Sequence, residues 1–431
     1  MVRFFATTAL LSALLATTSW AQATGLQADN EGGFKLSDDG QSRLHLGLDA
    51  GIGFDTNPYS ATLDTADFSG DIIGRIRPYL DVSTGPGSPL QFKGKASLDY
   101  GFLPGVIDPD TQQFLLYQAN VAADLEVNRG GMFSFAAGDT LSWSSDPGVA
   151  TVGTLLNRLT NQLRLGTGFT PGGGTLGFRL GYTFDFSKFF DVDGVQSGSL
   201  IEQGALDTMR HGLNLRADYR FLPKTGVFAN VGAGWQSYPF TNTQPQAFPV
   251  SVLVGIQGNF LPRLGGMAAI GYSNPLVFKN GAIDSGDILG ISGQLEVQWQ
   301  ISQQSTLAAG FQRRIDPMAL YQYVTNNRFY ARFQQGLLGR FVLTANAGYS
   351  ILEFGDEEGG GLTLTDRATG RLDGNLNGTI SLNYYFFDWL SVGLANDLDW
   401  RVTNANDVSD GTPVNLGYLR NQTLALLSVR Y

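Results

Sequence analysis

The sequence predicts an all-β fold, a single transmembrane antiparallel up-and-down β-barrel of about 18 strands (16–18), on three observations. A period-two alternation of apolar and polar residues recurs from residue 40 almost to the end. Short and long connections alternate strictly between the alternating stretches. The apolar faces lack charge for strand after strand, so a second apolar phase, not water, bathes them. A closed barrel pairs every backbone N–H and C=O without help from solvent, which an open sheet in hydrocarbon cannot do. A soluble sandwich or propeller would show a similar alternation, but no blade-length repeat is present and the connections do not fit.

Residues 1–23 read as an export signal: Arg3, the apolar run Phe4 to Ala16, then Ala21 and Ala23 at cleavage spacing. Thr7, Thr8, Ser12, Thr17 and Thr18 dilute the run too much for a membrane anchor. Residues 24–40 follow as a short segment on the periplasmic side, and residues 41–431 as the barrel. Within it, Leu90, Phe92, Ala96, Leu98, Tyr100 and Phe102 share one face, while Gln91, Lys93, Lys95, Ser97 and Asp99 share the other. Residues 176–187 and 289–300 split in the same way.

Eight tight turns fall at 85–88, 128–131, 171–174, 223–226, 262–265, 302–305, 337–339 and 387–389. Nine longer polar connections lie near 55–70, 103–112, 144–153, 188–205, 237–248, 274–286, 315–322, 354–367 and 402–414. Seventeen connections make eighteen strands, with both termini on the short-turn side, expected to be periplasmic. The final strand places Thr423, Ala425, Leu427, Val429 and Tyr431 outward, and Gln422, Ser428 and Arg430 inward.

Composition narrows the function. Gly accounts for 56 of 431 residues and aromatics for 12%, a profile of ordered, turn-rich chains. With no Cys and two His, disulfide, zinc-thiolate and multi-histidine centres are not expected. A net charge of -10 offers no footprint for nucleic acid. Inward positions hold Arg75, Arg77, Lys93, Lys95, Arg179, Arg216, Arg332 and Arg371, interleaved with Asp99, Asp185, Asp218, Glu296, Asp397 and Asp399, which implies a mixed-charge, wet bore. These are the expected pore-lining residues.

The long connections are acidic, through Asp64, Asp67, Asp108, Asp110, Asp191, Asp193, Glu202, Asp284, Asp356, Glu357, Glu358, Asp407 and Asp410. Divalent cations could bridge them to anionic headgroups of lipid and lipopolysaccharide. Asp191 and Glu202 stand at the first and last positions of a calcium-type loop, yet Val195 and Gln196 occupy its ligand and glycine positions, so no metal or other cofactor is expected. Catalysis has little support. His45 is inward on the first strand, His211 is on the apolar face of the eighth, and no Gly-x-Ser-x-Gly or His-Glu-x-x-His motif is present.

The stretch Leu46-Gly47-Leu48-Asp49-Ala50-Gly51-Ile52-Gly53-Phe54-Asp55-Thr56-Asn57-Pro58-Tyr59 resembles the first strand and loop of β-barrel porins linked to exopolysaccharide secretion, with Gly53, Phe54, Asp55 and Asn57 as its core. The alternating C-terminus, with Leu427, Val429 and Tyr431, resembles the signal by which bacterial outer-membrane barrels engage their assembly machinery. The resemblance implies a Gram-negative outer membrane, a passive conduit for polysaccharide, and a separate periplasmic export protein as partner. A general or solute-specific diffusion porin, a structural or motility-associated barrel, and a barrel-embedded hydrolase are the alternatives. No plug or passenger domain is expected, and no nucleotide-binding motif is present to supply energy.

Overall fold

The computed structural model describes residues 33–37, 42–58, 70–85, 88–106, 113–145, 157–190, 207–240, 246–279, 282–284, 290–318, 322–355, 371–404, 406–409, 412–415 and 417–431. The export signal at 1–23, the calcium-type stretch at 191–202, Tyr59 and most of the acidic connection residues lie outside the described residues. Of those acidic residues, Asp284 and Asp407 fall within it, each on a small hairpin above the wall.

Eighteen strands form one closed antiparallel wall. In chain order they are β1 (Arg43–Asp55), β2 (Asp71–Ser83), β3 (Leu90–Leu103), β4 (Gln113–Val127), β5 (Phe133–Ser144), β6 (Asn157–Phe169), β7 (Leu176–Phe190), β8 (Thr208–Leu222) and β9 (Thr225–Ser237). The other half comprises β10 (Val250–Leu261), β11 (Leu264–Asn274), β12 (Ile291–Gln300), β13 (Ser305–Pro317), β14 (Tyr323–Leu337), β15 (Phe341–Phe354), β16 (Leu372–Phe387), β17 (Leu390–Thr403) and β18 (Tyr418–Arg430). Each strand pairs with its sequence neighbours, and β1 pairs with β18 from Gly47↔Arg430 to Asp55↔Gln422, which seals the cylinder. The eight short and nine long connections fall where the alternation places them.

The outer face is apolar and open. Ile52, Leu213 and Ile270 are each more than half exposed, at 63%, 57% and 64%. In water such a surface would be a continuous aggregation patch, whereas in hydrocarbon it is the wetted side. Aromatic rings mark both edges of the apolar band. Phe133 stacks on Phe169 and Phe387 on Trp389 at the short-turn rim, where Phe341 also meets Tyr384 at a tilt, and tilted pairs of Trp143 with Phe190 and Trp235 with Phe278 stand at the other. Amphipathic rings favour the membrane–water boundary at these heights.

Two features depart from the sequence reading. A two-residue strand, Phe34–Lys35, pairs with Leu44 and Arg43 and continues the line of β18 along β1. Tyr431 exchanges both backbone hydrogen bonds with Leu46 at 2.8 Å, and its ring meets Phe34 edge-on at 4.8 Å. The second is a bulge in β4: Asp99 pairs with Gln118 but Tyr100 pairs with Leu116, so Tyr117 is the extra residue. A bulge turns its side chain off the regular alternation. Tyr117 therefore enters the barrel, where simple parity would place it outside.

Candidate functional site

The residues expected to line the bore, Arg371 apart, lie on strands and pair in register with positions on the face opposite the exposed apolar band, and Arg371 stands one residue before β16. They do not form a uniform wet lattice. Four groups are distinguishable, and one of them is dry.

The dry group lies under the long-connection rim beside the closing seam. Asp55 is fully buried and accepts from Arg420 Nη2 at 2.7 Å and Gln422 Nε2 at 2.8 Å, while the backbone N–H of Asn57 donates to it at 3.0 Å. Asn57 also donates through Nδ2 to the carbonyl of Leu419. Gln422 Oε1 accepts from Arg75, whose Nε and Nη2 grip Asp99 at 3.0 and 2.5 Å. The guanidinium of Arg75 lies 4.9 Å from the Tyr117 ring centre. One unbroken chain of polar contacts thus runs over β18, β1, β2, β3 and β4.

On β16 and β17, fully buried Asp373 accepts from Arg371 and Arg401 at 2.8 and 2.6 Å and from the Thr403 hydroxyl. Arg371 in turn covers Phe354 at 4.5 Å. Ile73, Leu103, Tyr117 and Leu424 close an apolar cluster within the same sector. The expected wet bore is therefore corrected here: charges are present, but they are sealed by one another and by apolar side chains. Buried ion pairs tolerate this only when each partner is fully engaged.

The Gly53, Phe54, Asp55 and Asn57 motif belongs to this seam. A Cβ on Gly53 would overlap the Thr423 carbonyl and fall 2.8 Å from Leu424 Cα. Only glycine lets β18 approach β1 so closely and lets Leu424 and Ile73 meet across it. The motif closes the barrel; Phe54 faces outward, 41% exposed.

Near the short-turn rim, Arg77 pairs with Asp49, and Arg430 stands 4.0 Å from Asp81. Lys95 and Lys93 face Asp81 and Asp124 in register. On the opposite wall, Asp218 takes Arg179 at 2.7 Å and Arg216 at 2.9 Å, and Arg216 also reaches Gln257 and lies 4.0 Å over Phe228. Asp185 accepts from Gln162, Asp397 from Thr379, and Asp399 from the Tyr418 hydroxyl.

A fourth group spans β8 and β12–β16. Arg210 on β8 approaches Asp316 on β13 to 3.6 Å, and Arg314 also pairs with Asp316. With strands about 4.8 Å apart, a round eighteen-strand wall would separate strands five places apart by roughly 21 Å. The two side chains cannot span that distance, so the wall is drawn inward at this level and the bore narrows. Tyr238, just beyond β9, is buried beside Arg210, and burial pushes its phenol up to about 12, so it stays neutral; Gln236 Nε2 donates to its oxygen at 2.8 Å. Deeper in the bore, the Tyr330 hydroxyl donates to Glu296 at 2.5 Å, and Arg332 covers the same ring at 5.3 Å.

The histidines stay apart. His45 is buried on the inner face, while His211 Nδ1 meets the Tyr182 hydroxyl at 2.8 Å on the outer face. Asp49, Tyr117, Thr403 and Leu424 have structural roles, and Arg328 a place on the inner face of β14, that the sequence reading did not single out. Parity alone would have found Leu424 and Arg328; Tyr117 was hidden by the bulge.

A family model described as "Putative beta-barrel porin 2" matches residues 44–406. Comparison with curated proteins finds no match. Among solved structures, OccK5 (OpdH) of Pseudomonas aeruginosa is 12% identical, with 91% of this chain and 98% of that chain covered and a TM-score of 0.42. OpdQ of the same organism is 9% identical, with 90% and 97% covered and a TM-score of 0.42. The alcaligin outer-membrane receptor FauA of Bordetella pertussis is 7% identical, with 93% and 77% covered and a TM-score of 0.40.

Proposed function

This chain belongs to the beta-barrel porin 2 family, and from that premise we propose that it is a passive channel of a Gram-negative outer membrane whose cargo is hydroxyl-rich, an exported polysaccharide in particular. One observation carries the reading: a polar inner face of guanidinium, carboxylate, amide and phenol groups is enclosed by an apolar outer one. Tyr79, Asp49 and Arg77, Gln162 and Asp185, and Tyr330 and Glu296 offer a sugar chain many weak hydrogen bonds and no deep trap. Passage through such a bore is downhill, so any work of export falls to partners such as a periplasmic polysaccharide-export protein. Lipid and lipopolysaccharide would bathe the apolar band.

Deleting the gene is expected to abolish surface glycan while the intracellular pool persists, measured by glycan staining of intact and lysed cells. Persistence of surface glycan with slower uptake of small polar solutes would favour the diffusion-porin alternative. For assembly, Tyr431→Ser removes the ring that meets Phe34. It should lower the amount of folded barrel in outer-membrane fractions, and an unaltered yield would refute a role for the last residue in recognition by the assembly machinery.

A further inference from the structure

Most inward arginines rest on a carboxylate: Arg75 on Asp99, Arg77 on Asp49, Arg371 and Arg401 on Asp373, Arg420 on Asp55. Arg328 and Arg332, four residues apart on the inner face of β14, do not. Among the described residues, neither guanidinium has an acidic partner or a hydrogen bond, and Arg328 feels the like charges of Arg332 and Arg314. Glu296, an inward carboxylate two strands away on β12, accepts from the Tyr330 hydroxyl, and Asp316 on β13 is taken by Arg314 and Arg210.

The surroundings of the pair suit a polyhydroxylated ligand. In register, Arg328 lies beside Ser350 and then Asn375, and Arg332 beside Asn346 and then Thr379. Gly348 lies between them, and a Cβ there would overlap Asn377 Oδ1 and stand 3.2 Å from Arg328 Nη2, so the missing side chain makes room for both groups. Arg328 Nε, Asn375 Oδ1 and Thr344 Oγ1 are shielded from solvent yet make no hydrogen bond within the protein. Unspent donors and acceptors beside two unneutralised guanidiniums are costly to the fold alone. A ligand that brings both a carboxylate and hydroxyls would satisfy them together, since a guanidinium fork matches a carboxylate's two oxygens.

We propose that Arg328 and Arg332, with Thr344, Asn346 and Asn375, form a binding track in the bore for carboxylate-bearing sugars, that is, free uronates or uronate residues of a glycan. This rests on the channel reading and specifies its cargo. The four-residue step from Arg328 to Arg332 spans about 13 Å of strand, which is enough to hand a charged chain from one guanidinium to the next. Arg314 and Arg210 at the narrowed rim place positive charge at the long-connection end of the same track, each shared with Asp316.

The test is single-channel recording in planar bilayers with the full chain. Glucuronate and a trimeric uronate should reduce the current of the unaltered protein, the trimer at lower concentration if a polymer is the cargo, whereas glucose at equal concentration should not. Arg328→Gln/Arg332→Gln should raise the half-blocking concentration about tenfold or more and shift the reversal potential in a KCl gradient toward cations. Arg328→Lys/Arg332→Lys should keep the anion preference but bind uronate less well, because ammonium lacks the fork. Heat-modifiable mobility on gels establishes that each variant is folded. Conductance without selective block by uronate, or equal block by inorganic phosphate, would overturn the track and leave the channel reading standing. No conductance from folded protein would overturn both.

Discussion

Asp373→Ala is expected to destabilise the folded barrel by about 3–5 kcal/mol, the usual cost of removing one partner from a buried ion pair. The carboxylate is fully buried and holds two arginines whose side chains are themselves only 2% and 4% exposed, together with the Thr403 hydroxyl. Its removal takes away the buried carboxylate that both guanidiniums share. Urea unfolding of the refolded protein in lipid vesicles, followed by Trp fluorescence, measures the loss as a lower midpoint at unchanged slope. Replacing Arg371 and Arg401 by Met in the same variant should recover part of it, since an apolar substitute carries no desolvation penalty. If Asp373→Ala alone shifts the midpoint no more than an exposed ion-pair mutant such as Glu126→Ala, the cluster does not brace the wall.

Gly53→Ala is expected to lower the amount of folded barrel, because the added atom meets backbone on the neighbouring strand, where nothing can rotate away. The Thr423 carbonyl and Leu424 Cα occupy the space, and moving them opens the contact between Leu424 and Ile73 as well as the register that brings Gln422 to Asp55. Overpacking commonly costs about 1–3 kcal/mol, and more where the backbone must shift. The expected outcome is loss of most of the heat-modifiable folded species. Gly74→Ala supplies the comparison, since a Cβ there meets nothing nearer than the Phe102 carbonyl at 3.8 Å. Equal yields of the two variants would show that the seam has slack.

The resemblance read from the first strand pointed to a function, yet its residues carry a structural duty. Asp55 and Asn57 fix the end of β18, and Gly53 admits it. A motif recurring at this place in related barrels would follow from closure alone, so the glycan reading stands on the inner face and not on the motif. The expected wet bore holds where pairs are half-exposed, as at Arg179 and Asp218, and fails at the seam, where Arg75 and Asp99 are sealed.

The sequence by itself determined the strand period, the number of strands, the side on which each charge stands and the apolar exterior. Those properties are local: lipid or water acts on every residue separately, and alternation records which one it meets. The tertiary structure alone decided that Asp55 meets Arg420 across 365 residues, that Tyr117 turns inward, that Arg210 reaches Asp316 across the bore, and that Arg328 and Arg332 keep their charge unshared. Each of these depends on register, bulge and wall curvature, which arise only when the eighteen strands close on one another.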